Sequence, residues 1–207
     1  MTYRLAIFDF DGTLADSFPF FASVFNRLAE QHGFKRITPQ MAPAFRHYST
    51  RQIMEQLEMP AWKLPVIGKS FISLMRENAA SIPLFADVDE MLAALANRGV
   101  ILAIVSSNSF DNVNAILGPA NAKLFSQFEC GMSIFGKSSR IARVLGKAGV
   151  ARSEAIYIGD QGTDADAAHS QQIAFGAVAW GYGSIESLRE HSPEMEFDNV
   201  QAILGIA

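Results

Sequence analysis

Leu5-Ala6-Ile7-Phe8-Asp9-Phe10-Asp11-Gly12-Thr13 runs a short apolar stretch into two carboxylates and then into a turn. Side chains two apart on a strand share a face, so a strand ending at Asp9 lets Phe10 pack inward while Asp9 and Asp11 face a common crevice. Gly12 lets the backbone turn sharply behind them. Carboxylates placed this way can hold a hard cation and attack phosphorus.

Three further apolar runs are bounded by turn residues: Val100 to Val105, Ile156 to Ile158 and Ile173 to Ala179. Between them, helical spacing is visible in Val88-Met91-Leu92-Leu95, in Ile141-Val144-Leu145-Ala148 and in Ala165-Ala168. This alternation predicts an α/β fold, a Rossmann-like parallel sheet core flanked by helices. A fifth strand is expected near Phe128 to Met132. Residues 17–82 break the pattern, with several helical signals and no strand, and are read as an inserted α-helical unit. Phe18 to Leu28 suits one helix, Thr38-Pro39 would cap and start a second, and Thr50 would cap Arg51 to Leu57. Pro60 and Pro65 would precede a last helix through Phe71 to Met75. The core is then residues 1–16 and 83–207.

At 207 residues and 49% apolar, the chain can bury a large core. Its net charge is only -4, with Lys and Arg scattered singly, which argues against a nucleic-acid or membrane surface. The longest apolar runs fall far short of the roughly 20 residues of a membrane helix. Asp9 also interrupts the first run too early for a secretory leader, so a cytoplasmic location is expected. The single cysteine, Cys130, cannot form an internal disulfide and is read as a small packed side chain.

Ligands of an open parallel sheet collect at the carboxyl ends of its strands. There the sequence offers Asp9 and Asp11, then Ser106-Ser107-Asn108, then Gly159-Asp160 with Asp164 four residues on. Converging carboxylates repel unless a cation neutralises them, and an all-oxygen site suits Mg²⁺. Lys137 adds a positive charge able to hold a phosphoryl group on the same cation.

This ordered set resembles the haloacid dehalogenase-like hydrolase superfamily, with its D-x-D-G-T motif, a Ser or Thr ending the second strand, a distant Lys and a G-D-x-x-x-D motif. Asp9-Phe-Asp-Gly-Thr-Leu-Ala-Asp-Ser17 is closest to the phosphoglycolate phosphatase-like branch, in which the insert is a small helical cap. The resemblance implies an Mg²⁺-dependent phosphatase acting on a small phosphorylated metabolite. It implies that Asp9 is the nucleophile and Asp11 the proton carrier, the latter with a raised pKa. Mg²⁺ would be held by Asp9, by Asp11 through its backbone carbonyl, by Asp160 and by Asp164. Ser106, Ser107, Lys137, Gly12 and Thr13 would bind phosphate. The pattern departs from the family after Lys137, where Ser138-Ser139 stands in place of the usual proline.

Some choices stay open. Ser106 is preferred to Ser107 because it ends the apolar run directly, and Lys137 to Lys123 or Lys147. Asp16 and Asp166 are read as solvated. In the insert, Arg46, His47 and Arg51 are candidates for selecting the substrate; His32, His169 and His191 have no ligand-like spacing. A sugar phosphomutase, sharing the core and a similar cap, is the nearest alternative. A haloacid dehalogenase would lack the second motif aspartate. A phosphoaspartate signalling receiver would carry its aspartate on a middle strand and have no insert after the first.

Overall fold

The computed structural model describes residues 2–38, 40–45, 48, 50–131 and 136–207, the side chains of 42, 43, 50 and 51 excepted. Its centre is a six-stranded parallel sheet formed by β1 (Leu5–Phe8), β2 (Ile101–Ser106), β3 (Phe125–Cys130), β4 (Ala155–Gly159), β5 (Ala174–Val178) and β6 (Met195–Phe197), in the order β3-β2-β1-β4-β5-β6. The four runs read as strands are strands. The fifth begins earlier than expected, at Phe125, and the short edge strand β6 was not anticipated.

Alternation along β1 builds the two layers. Ala6 and Phe8 join one apolar cluster with Ile104, Ile158 and the helix α5 (Val88–Asn97). Leu5 and Ile7 join the other with Val105, Tyr157, α7 (Gly136–Ala148) and α8 (Gly162–Ser170). Phe10 is fully buried in the first cluster, as its place between two aspartates requires. The helix α6 (Phe110–Ala122), absent from the sequence reading, is capped by Ser109 and broken by Gly118, whose φ is 71°, just before Pro119. That break hides its periodicity. After α9 (Ile185–Arg189) and β6, a 3-10 segment, Val200–Ile206, closes the first cluster with Val200, Ile203 and Ile206.

Between β1 and α5 stand α1 (Phe18–His32), α2 (Ala42–Phe45), α3 (Thr50–Gln56) and α4 (Leu64–Glu77). Their details correct three expectations. The second helix is a single turn starting at Ala42, beyond Thr38. Thr50 is the first residue of α3 and not its cap. Pro65 lies in the first turn of α4, where a missing N–H costs nothing. Phe25, Leu57, Met59 and Ile67 form a separate small core for this insert, whereas Met75 at the end of α4 reaches into the main one. The two chain crossings are tied together, Asp16 N–H donating to Pro83 O at 2.9 Å. Among the described residues no helix is long and apolar enough to cross a membrane.

Candidate active site

The order reverses between β1 and β4, and there the strand ends part into a crevice. Phe8 is in register with Ile104 on one side and Ile158 on the other, so Asp9, Ser106 and Asp160 all lie one or two residues past the same level. Asp9 N–H extends the ladder to Ile158 O at 2.9 Å, which fixes its backbone.

Asp9, Asp160 and Asp164 are buried, with one carboxylate oxygen from each lying within 4.8 Å of the others. The Lys137 ammonium, in the first turn of α7, bridges two of them, 2.8 Å from Asp9 Oδ2 and 2.5 Å from Asp164 Oδ1. Lys147 instead sits on the surface beside Glu129, 3.2 Å away. Asp164 Oδ2 also accepts from Gln161 N–H at 3.1 Å, capping α8. Asp160 Oδ2 accepts from Tyr182 N–H at 2.7 Å.

Burial raises the Asp9 carboxyl to about 7, and the neighbouring Asp164 and Asp11 charges add to this against the pull of Lys137. Asp160 is pushed up by burial and by the charges of Asp9 and Asp164. Burial alone would lower Lys137, but Asp164 and Asp9 outweigh it and hold the ammonium above its ordinary value. Three buried carboxylates around one ammonium leave an excess of negative charge in an all-oxygen pocket. These residues therefore fit a hard divalent cation.

Asp11 stands outside the three-carboxylate cluster. Its Oδ2 accepts from Asn108 Nδ2 at 2.9 Å, while Oδ1 is buried with no hydrogen-bond partner. Burial raises its pKa, as expected of a proton carrier, and hydrogen bonding from Ser17 and Asn108 moderates the rise. Asn108 is held in turn, its Oδ1 accepting from Ser109 N–H at 2.8 Å and Asn112 Nδ2 at 3.0 Å.

Ser106 is buried and Ser107 exposed at the rim. Ser106 Oγ accepts from Asn108 N–H at 3.1 Å. Gly12 and Thr13 brace the turn with their amides, which donate to Ala15 O at 3.0 Å and Phe10 O at 3.3 Å. Both amides thus hold the turn that carries Asp11. Thr13 Oγ1 is directed at Asp160 Oδ1, 3.5 Å away. Gly12 has φ of 84°, and a Cβ there would collide with Asp160 Oδ2.

Asp16 is half-buried. Asp166 is exposed, as expected, and pairs at the surface with His191, Nδ1 to Oδ1 at 3.0 Å. Burial pushes the Cys130 thiol up to about 12, which agrees with a packed side chain. Arg46 and His47 lie outside the described residues, as does the side chain of Arg51.

Sequence reasoning missed the contribution of β5. Trp180-Gly181-Tyr182-Gly183 follows it, and a Cβ at Gly181 or Gly183 would strike the Asp160 side chain or carbonyl. Trp180 Nε1 donates to Thr13 O at 3.1 Å, and the Tyr182 hydroxyl lies 2.8 Å from Ser17 Oγ. Two glycines flanking an aromatic at a strand end were the available signal of close backbone approach.

Comparison with known proteins places this geometry. The family model described as haloacid dehalogenase-like hydrolase matches residues 6–178. A phosphoglycolate phosphatase of Synechococcus elongatus is 30% identical over 91% of this chain and 89% of that protein. One of Haemophilus influenzae is 24% identical over 99% and 98%. Among solved structures, a haloacid dehalogenase-like family hydrolase from Streptococcus pneumoniae superposes with a TM-score of 0.76 at 20% identity, over 98% of this chain and 97% of that one.

Proposed function

Because this chain belongs to the haloacid dehalogenase-like hydrolases, we propose that it is a phosphatase that hydrolyses a small phosphomonoester through an aspartyl phosphate on Asp9. The observation that carries this reading is the Lys137 ammonium shared between Asp9 and Asp164, with Asp160 in the same buried cluster. Asp9 attacks phosphorus with Oδ1 or Oδ2 as the carboxylate, a form that Lys137 favours against the effect of burial, while the same ammonium faces the incoming phosphoryl oxygens. Asp11 gives its proton to the departing ester oxygen. The Asn108 amide holds Oδ2 and so fixes the orientation of the Asp11 carboxyl. The same carboxylate, now ionised, takes a proton from the water that attacks the aspartyl phosphate, releasing inorganic phosphate and restoring Asp9. Ser106 contacts the phosphoryl group opposite Lys137.

Asp9, Asp160, Asp164 and the Asp11 carbonyl are the groups that would hold Mg²⁺. When bound, the cation supplies positive charge that neutralises phosphoryl and carboxylate oxygens.

Residues 17–82 act as the cap over a core of residues 1–16 and 83–207. Between them lies a cavity of about 290 Å³, lined by Phe45, Tyr48 and Ile53 of the insert and by Gln161, Tyr182 and His191 of the core, next to the clustered carboxylates and not lined by them. Such a volume suits a small ester and not a macromolecule. The relatives direct the choice of substrate to phosphoglycolate first.

The test is phosphate release from a panel of small esters, phosphoglycolate included, by the chain with Mg²⁺ and with a chelator. Release that depends on Mg²⁺ is expected. A folded, Mg²⁺-supplied chain that releases phosphate from none of them contradicts the reading.

A further inference from the structure

The buried face of α7 consists of Arg140, Ile141, Val144 and Leu145. Three of these are apolar, as a core-facing stripe should be, and one is a guanidinium only 6% exposed. Buried charges are ordinarily paired. Arg140 has no carboxylate partner among the described residues. The acid nearest in sequence to its strand neighbours, Glu129, is already held by Arg143 at 2.8 Å and Lys147 at 3.2 Å. What Arg140 does hold is a backbone group, its Nη1 donating to Ser106 O at 2.9 Å. Its other terminal nitrogen, Nη2, lies 3.8 Å from where a Cβ on Gly131 would stand, at the end of β3.

We propose that Arg140 is a positioning residue for the phosphoryl group. It grips the Ser106 carbonyl from the same helix that carries Lys137, one turn earlier, and so fixes the separation of the two groups that clamp the phosphate oxygens. Lys137 and Arg140 are three residues apart and share a helix face. One reaches over the crevice to Asp9 and the other passes behind it to the end of β2. A buried apolar residue at 140 would pack the helix equally well but leave the Ser106 carbonyl unheld. Not directly paired with a carboxylate among the described residues, the guanidinium also adds positive potential behind Ser106, where a dianion arrives.

This inference rests on the phosphatase reading, and the experiment separates the two. Native protein, Arg140→Met, Arg140→Lys and Arg143→Met are compared, with Mg²⁺, for turnover of two esters with unlike leaving groups, for binding of inorganic phosphate by calorimetry, and for thermal melting. A misplaced clamp should weaken phosphate binding and lower kcat about tenfold or more in Arg140→Met, by the same factor for both esters. Arg140→Lys should recover much of this, because a single bond to a carbonyl needs one donor and not the guanidinium fork. Arg143→Met, on the exposed side of the helix, should match the native chain. Should Arg140→Met not fold, Arg140→Gln takes its place. The proposal is overturned if the folded variant binds phosphate as the native chain does, if its loss differs between the two esters, or if Arg140→Lys is no better than Arg140→Met. If the native chain binds phosphate but hydrolyses neither ester, the phosphatase reading falls and the binding comparison still decides the role of Arg140.

Discussion

Asp9 and Asp11 are two residues apart and in different surroundings, and that difference supports the separate roles proposed for them. Asp9 faces an ammonium at 2.8 Å and two carboxylates, whereas Asp11 is buried beside the Asn108 amide and the Ser17 hydroxyl. Asp9→Asn removes the nucleophile, and phosphate release should fall to background in a steady-state assay. Asp11→Asn should bind Mg²⁺ normally and turn over about 10² to 10⁴ times more slowly, the ordinary value of a general acid and base. Equal rates in the Asp11→Asn and native chains would remove that role. Both aspartates, with Asp160, Asp164 and Lys137, were legible in the sequence because each sits next to an apolar run or a helix start that announces its place. Asn108 was legible only as a strand-end amide, and Tyr182 and Arg140 not at all. Their contacts reach residues 97, 22 and 34 positions away, and no local pattern encodes a partner at that distance.

At the scale of elements, the site depends on how sharply the chain leaves β1. Gly12 has a positive φ and lies against Asp160 and Tyr182. Gly12→Ala should therefore cost more than about 1 kcal/mol from the backbone alone, with the collision added. A lowered melting temperature and weaker Mg²⁺ binding, measured by calorimetry, are expected together; weaker melting with native metal affinity would mean that the turn does not support Asp160. The strands were readable because a buried parallel strand is a continuous apolar run. The exceptions are instructive: β6 has only three residues, and β3 carries Ser126, Gln127 and Glu129 on the opposite edge of the sheet. Edge strands see solvent, so their composition resembles that of loops.

Over the whole molecule, the crowded carboxylates link stability to pH and metal. Asp9 holds its proton up to about 7 in the metal-free fold, against 3.8 for an ordinary aspartate, and Asp11 and Asp160 shift the same way. The folded chain thus binds more protons than the unfolded one between those values. The stability this contributes is complete below the ordinary carboxylate range and is lost as pH rises through the folded value. In chelator, the melting temperature should fall between pH 5 and pH 8; Mg²⁺ at 100 times its Kd should restore about 2.7 kcal/mol at the upper end. A metal-free melt that rises over this interval would contradict the electrostatic account of the cluster. Asp9 is proposed to carry the phosphoryl group between ester and water. The most direct test is to quench a turnover in acid and map the phosphorylated peptide by mass spectrometry. A phosphoryl group on Asp9 that appears with substrate and is absent from Asp9→Asn is expected; phosphate release with no phosphorylated chain, or with the group on another residue, would rule out this role.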